Sequence, residues 1–311
     1  MSKSTHLNLP IRFGTVGSPA SAPQNKGSLG GIARLRELSL SALELAWVQS
    51  VRISDEACAK IKAAGAQYDV AISVHASYFI NLNADTEEMW QAGRERLLTA
   101  ARYGYKAGAT DIVFHPGSYM KDSPADAYAT ATGRLCEVAD TLRKEKVDVT
   151  LRPETMGKSA LLGTLEDVIR WSQQIENVLP CIDFAHLHAR TGDGSFNTYD
   201  EFATALQLIA GSLGERGTRN MHIHFSGIEY GPKGERRHLN LAEADIHYKA
   251  LFQVLADNGV GGRVLSETPN MEEDAVLMRN TYQRSWVKAS RAHQPSPLRS
   301  NGLHIQRGKS N

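Results

Sequence analysis

The chain has 311 residues, 41% of them hydrophobic and 22% charged, with a formal net charge of +1, a balance that supports a packed core and excludes wholesale disorder. Its three cysteines, Cys58, Cys136 and Cys181, are widely spaced and form no CxxC, which excludes a disulfide scaffold or a cysteine-rich zinc ribbon. No apolar run approaches the roughly 18 residues of a membrane span, and MSKSTHLNLPIRF lacks the apolar core of a signal peptide, so a cytoplasmic monomer with no membrane partner is expected.

Eight short segments rich in Val, Ile, Leu or Phe predict strands at 11–17, 42–48, 69–76, 111–117, 148–154, 178–186, 219–227 and 262–269. Helical patterns fill the intervals at 32–40, 54–64, 86–108, 122–146, 161–175, 199–212, 241–257 and 272–287. In the third of these, Met89, Leu97, Ala100, Ala101 and Tyr105 form an apolar stripe. Ser123 and Pro124 read as an N-cap and first-turn pair, and Thr164 with Asp167 as a capping box.

Strand and helix alternating eight times predict an α/β fold with a parallel sheet covered by helices. Eight units over about 280 residues fit a single-domain (β/α)8 TIM barrel. An open doubly wound sheet shares the periodicity, but no GxGxxG follows the first strand, and the GKS strings at 157–159 and 308–310 lack the earlier glycine of a phosphate loop. The barrel is expected to span 10–287, between an N-terminal arm at 1–9 and a basic extension at 288–311. From Ser285 onward there are five basic residues (Lys288, Arg291, Arg299, Arg307, Lys309) and no acid, leaving 30 basic against 34 acidic residues elsewhere. Such an end is either a solubilising tail or a set of phosphate contacts.

Ionisable residues recur where the predicted strands end. His75 ends the third strand, His115 the fourth and Glu154 the fifth; Asp183 and His186 close the sixth, His222 and His224 lie in the seventh, and Glu267 ends the eighth. In a barrel these ends converge on one mouth. Taken alone, His115 before Pro116 reads as a turn or an ordinary core imidazole. Together, three carboxylates and several imidazoles near one axis are unfavourable unless compensated, and clustered carboxylates would take up protons. A divalent cation removes both problems. Imidazole and carboxylate donors suit Zn2+, Mn2+ or Fe2+, with Zn2+ preferred.

The donors exceed one tetrahedral shell, so two metals about 3.5–4 Å apart are expected. Glu154 is assigned as the bridge, with His75 and His115 before it and Asp183, His222 and Glu267 after it. His186 and His238 could hold a third ion. His188 and His224 stand beside them as donors that orient a ligand, and His224 shares strand parity with His222.

The words SVHASYFINL (73–82), FHPG (114–117), PET (153–155), DFAH (183–186), MHIH (221–224) and ETP (267–269) occur in order at the strand ends. Through them, residues 11–279 resemble the endonuclease IV-type apurinic/apyrimidinic endonucleases of the xylose isomerase-like barrel superfamily. The resemblance implies a three-metal DNA-repair hydrolase that cleaves the phosphodiester 5′ to an abasic nucleotide in duplex DNA, with metal-activated water attacking phosphorus. It implies His75, His115 and Glu154 around the first metal, and Glu154, Asp183, His222 and Glu267 around the second. His186 and His238 would belong to the third.

Where the family pattern expects aspartate two residues before the last histidine, this chain has Arg236. Either the third metal is absent, or Glu235 or another group supplies the ligand, or Arg236 replaces the ion with fixed charge and stabilises the leaving oxygen. Glu154 and Glu267 are the other expected catalytic groups, Glu267 orienting the nucleophile. Tyr78 matches an aromatic that fills space near the flipped abasic site, and Arg52 stands as the arginine of the second loop. Lys158, Arg190, Lys233, Arg236 and Arg237 are expected to hold backbone phosphates. Two rival readings use the same barrel. A sugar isomerase or epimerase would hold one ion on Glu154, Asp183, His222 and Glu267, with no need of His75 and His115; an altered barrel would bind DNA without cutting it.

Overall fold

The eight predicted barrel strands all form in the computed structural model, which describes residues 9–292. They are β1 (Ile11–Val16), β2 (Ala42–Ala46), β3 (Ala71–His75), β4 (Ala109–Phe114), β5 (Thr150–Pro153), β6 (Cys181–Asp183) and β7 (Met221–Phe225). After them come β8 (Gly227–Gly231) and β9 (Gly234–Leu239), which form a separate antiparallel hairpin, and β10 (Gly262–Ser266), the eighth barrel strand. The barrel order is β5-β4-β3-β2-β1-β10-β7-β6. Parallel bridges between Leu151 and Val178 and between Glu154 and Cys181 join its two ends. The sheet therefore closes on itself, and the open doubly wound arrangement is excluded.

Helices α1 (Gly27–Glu37), α2 (Asp55–Tyr68), α3 (Glu87–Lys106), α4 (Pro124–Lys144) and α5 (Leu165–Gln174) cover the first half. Then come α6 (Phe184–Arg190), α7 (Tyr199–Leu213), α8 (Glu215–Thr218), α9 (Tyr248–Asp257) and α10 (Glu272–Ala292). Local chemistry sets their starts. Ser123 Oγ accepts the Asp126 N–H at the head of α4, where Pro124 gives up no hydrogen bond, and Thr164 with Asp167 closes the predicted capping box. The apolar faces of the strands lie on the helices. Val74 and Ile112 meet α3 so closely at Gly104 that a Cβ there would come within 2.7 Å of Ile112 Cδ1.

Several boundaries depart from expectation. The sixth strand stops at Asp183, whose Oδ1 caps α6 through the His186 N–H, so His186 and His188 are helical. The stretch after the seventh strand is the β8–β9 hairpin rather than a loop. The predicted helix at 241–257 starts only at Tyr248, after a 3-10 turn at Leu241–Glu243. The last helix runs to Ala292 instead of stopping at 287, which carries Lys288 and Arg291 on α10; the remaining expected tail, like most of the expected arm at 1–9, lies outside the described residues. Among the described residues no helix is long and apolar enough to cross a membrane.

The inward face of the barrel is polar along much of its length. Strand register puts Glu44 level with Ser73, Ser73 with Asp111, Cys181 with His222, and Asp183 with His224. At the lowest level Asp111 pairs with Arg152 and Arg263, all three buried. Arg152 also donates to the carbonyls of Pro180 and Asn220, and Arg263 to that of Ile72. Burial alone would raise the Asp111 carboxyl, but the guanidiniums of Arg152 and Arg263 outweigh it and hold it below the ordinary aspartate range. A depressed native pKa stabilises the fold fully above the unfolded value, near pH 4, and that stability is lost as pH falls below it. Asp111→Asn leaves two guanidiniums buried without their anion. Denaturant unfolding at neutral pH should show a loss of about 3–5 kcal/mol, and the variant's stability should fall less steeply than the parent's below pH 4; unchanged stability would contradict the pairing.

Candidate metal centre

Three donor sets converge at the barrel mouth. The first comprises His75, His115 and Glu154, the second Glu154, Asp183, His224 and Glu267, and the third His186, Glu235 and His238; within each set the ligand atoms lie within 4.8 Å of one another. Glu154 belongs to two of them. Its Oε2 stands 3.4 Å from both His75 Nε2 and His115 Nε2, while its Oε1 faces His224 Nδ1 at 3.5 Å. Glu154 thus lies between two groups of donors.

The rings are aimed from behind. Nδ1 of His75 lies 2.9 Å from the Ala76 carbonyl, that of His186 2.9 Å from the Thr155 carbonyl, and that of His238 3.1 Å from the Glu267 carbonyl. A carbonyl only accepts, so Nδ1 carries the proton and Nε2 presents its lone pair. Asp183 spends Oδ1 on the α6 N-terminus and turns Oδ2 to the mouth.

The strand-seven assignment needs correcting. His222 does not join Glu154, Asp183 and Glu267; His224 does. Both rings face inward, two residues apart, and His222 lies one level deeper, where its Nε2 meets Glu44 Oε2 at 2.9 Å. His222 and His224 also have donor atoms within 4.8 Å of Cys181, whose thiol is pushed up by burial.

The third set contains Glu235, the neighbour of position 236. In the β8–β9 hairpin Glu229 pairs with Arg237 but Tyr230 pairs with Glu235, so Arg236 is an extra residue, a β-bulge. In a regular strand residues 235 and 238 would face opposite sides. The bulge cancels that offset and brings Glu235 Oε2 to 3.6 Å from His186 Nε2 and Glu235 Oε1 to 3.9 Å from His238 Nε2. Arg236, extruded and largely exposed, contacts Glu229, which corrects its expected place beside the reacting oxygen. Glu235 N–H donates to the Gly157 carbonyl. A Cβ on Gly157 would come within 2.8 Å of His186 Cδ2 and 2.9 Å of Glu235 Cβ.

The donor chemistry fits divalent cations. Among the described residues, both Glu154 oxygens, Asp183 Oδ2 and His224 Nδ1 are buried without a hydrogen-bond partner, a costly state unless something shares them. Gaps of 3.4–3.6 Å exceed an ordinary hydrogen bond but match the edge between two ligands each about 2.1 Å from one tetrahedral ion. Burial pushes the Glu154 carboxyl up, yet His224 and His115 pull it well below its ordinary range. At Asp183, burial with Glu154 and Glu267 nearby raises the carboxyl. Burial would lower His186, but Asp183 and Glu154 push it up to about 10. The acids therefore draw positive charge to the mouth, whether as protons or as metal.

Other expected residues divide. Tyr78 is half exposed at the mouth and stacks on His115 at 5.2 Å, and burial with Glu267 and Glu154 pushes its phenol up to about 12. Arg52, Lys158 and Lys233 are exposed, and Arg237 pairs with Glu229. Arg190 was expected to meet phosphate. Instead its guanidinium donates to the carbonyls of Met156, Lys158 and Leu161, stapling the loop after β5. His188 was expected to orient a ligand, but it binds the Ser195 carbonyl and Asp245 and pins the loop after α6. Glu44 was not expected at all. Its signal is an acid between Leu43 and Leu45 in an otherwise apolar strand.

Residues 32–290 match the family model of the xylose isomerase-like TIM barrel. Over 270 residues the chain is 37% identical to the uncharacterised protein MJ0133 of Methanocaldococcus jannaschii, covering 87% of this chain and 96% of that one. A probable endonuclease 4 of a Geobacillus species is 29% identical over 222 residues, 68% of this chain and 70% of that one. Two solved structures share the fold. A D-tagatose 3-epimerase-like protein has TM-score 0.67 at 18% identity over 89% of this chain and 99% of that one. Endonuclease IV from Thermus thermophilus has TM-score 0.64 at 20% identity over 88% of this chain and 99% of that one.

Two substitutions separate the donor sets. Glu154→Gln should cost the metal of both sets it joins, whereas Gly157→Ala should cost only that of the His186 set by displacing His186 and Glu235. Elemental analysis of the folded proteins after dialysis against Zn2+ checks this; parent-like metal content in Glu154→Gln would contradict the shared carboxylate.

Proposed function

The chain belongs to the xylose isomerase-like TIM-barrel family, and within that family we propose that it is a metal-dependent phosphodiesterase acting on DNA, cleaving 5′ to abasic sites. The observation that carries this reading is the His75–His115–Glu154 set, with the His186–Glu235–His238 set beyond it. A one-ion sugar isomerase or epimerase has no use for either. A phosphodiester, whose transition state spreads negative charge over several oxygens, has use for both.

His75, His115, Glu154, Asp183, His186, His224, Glu235, His238 and Glu267 would hold the ions, with zinc the preferred metal. Bound divalent ions supply Lewis acidity toward phosphoryl oxygens and lower the pKa of water. The chain's own residues do the rest. Glu154 divides its two oxygens between neighbouring sets and fixes their spacing. Glu267, slightly exposed at the mouth, orients the attacking water. Tyr78 gives the extruded, unstacked nucleotide an aromatic wall over His115. Lys158, Lys233, Arg52 and Arg237 engage backbone phosphates around the mouth, which positions the duplex without reading its bases. Work on DNA places the protein in the compartment that holds it.

The four-donor set of Glu154, Asp183, His224 and Glu267 would alone suffice for a sugar epimerase, and the fold is shared with one. The two readings part on substrate. The purified protein should nick a duplex containing one abasic site, with undamaged duplex and single strands spared and chelator abolishing the cut. No chelator-sensitive cleavage of any of these, together with epimerisation of a ketose and one ion per chain, would replace this reading with the sugar enzyme.

A further inference from the structure

We propose that Glu44 is the positioning residue of the centre, its carboxylate standing against Nε2 of His224 and so holding that ring with Nδ1 aimed at Glu154 and Glu267. The proposal rests on the metal-holding part of the function proposed above and not on its substrate. Glu44 lies in the middle of β2, fully buried, and belongs to none of the three mouth sets. Its Oε1 is 2.9 Å from His224 Nε2, an ion-pair contact not aligned as a hydrogen bond, and neither atom has a hydrogen-bond partner of its own among the described residues. On the other side of the ring, Nδ1 stands 3.5 Å from both Glu154 and Glu267. The short distance sets negative charge against Nε2 and so favours the proton there, while the long ones suit a shared cation.

Comparison with the other rings shows why a carboxylate is needed. His75, His186 and His238 are each held by a backbone carbonyl at Nδ1. His224 sits within β7, on the inward face of the barrel, where neighbouring carbonyls are committed to the strand ladders. A side chain must do what a carbonyl does elsewhere, and an inward carboxylate two strands beyond β10 reaches it. Glu44 is itself clamped. Its Oε2 accepts from Ser73 Oγ at 2.7 Å and from His222 Nε2 at 2.9 Å, leaving Oε1 for His224. His222 therefore serves the centre at one remove, as an anchor for the group that anchors the ligand. Partners of this kind fix the ring orientation and basicity of a metal-binding histidine.

The test is calorimetric titration of the metal-stripped full chain with Zn2+, comparing the parent with Glu44→Gln. The amide keeps the shape but cannot accept from His222, Ser73 and His224 together. One class of sites should weaken by about 10–100-fold while the others keep the parent's affinity. Nitrogen-15 spectra of the zinc-loaded parent supply a second reading that needs no variant to fold: His224 should carry its proton on Nε2. Parent-like affinity at every site in Glu44→Gln, an equal weakening of all sites, or a His224 proton on Nδ1 would each overturn the proposal. These outcomes are separate from DNA cleavage: a parent that binds zinc but leaves abasic DNA intact defeats the nuclease reading alone, and one that binds no zinc defeats both.

Discussion

Glu154, Asp183 and Glu267 share a largely buried pocket at the end of a barrel, and like charges cannot be kept there without positive charge between them. Much of the surrounding construction answers that constraint. Imidazoles stand between the acids, and those of His75, His186, His238 and His224 have a partner behind the ring, so that their other nitrogens point at the same spaces the carboxylate oxygens do. Protons on those rings would balance the charge, but at 3.4–3.5 Å His75, His115 and His224 stand too far from the Glu154 oxygens for good hydrogen bonds. Divalent cations balance the charge and satisfy the oxygens at once.

A second consequence runs down the barrel axis. Below the mouth the interior is not a stack of branched apolar side chains but a series of closed polar pairings, Glu44 with His222 and Ser73, then Asp111 with Arg152 and Arg263. Each level is held by hydrogen bonds of ordinary length or by full ion pairs, whereas most contacts at the mouth, the 3.1 Å one between His186 Nδ1 and Glu154 apart, are wider. That contrast in spacing distinguishes the part of the polar interior built to support from the part built to bind. The hairpin after β7 completes the mouth from outside, where one bulged residue brings Glu235 to the same side as His238.

The barrel was legible because eight apolar strands and their caps repeat locally, and each signal needs only a few neighbouring residues. The convergence of His75, His115, Glu154, Asp183 and Glu267 followed from their position at strand ends, which a barrel brings together whatever the details. What could not be read depended on register and depth. His222 and His224 have the same parity, and only the level of Asp183 beside His224 says which ring reaches the mouth. A bulge at Arg236 has no signature of its own, since the extra residue is defined by what it fails to pair with across the hairpin. Arg190 looked like a phosphate contact because a basic residue near the mouth has two uses, and the carbonyls it meets are distant in sequence. Glu44 left a trace as an acid flanked by leucines, but its partner lies 178 residues away.

The claim at the centre of this account is that cations, rather than protons, fill the spaces between the mouth carboxylates and imidazoles. Crystals of the protein grown with Zn2+, with diffraction collected on both sides of the zinc absorption edge, test it directly. Anomalous peaks should appear on either side of Glu154, one with His75 and His115 and one with Asp183, His224 and Glu267. A map without such peaks, in which the imidazoles have closed onto the carboxylates at hydrogen-bond distance, would contradict it.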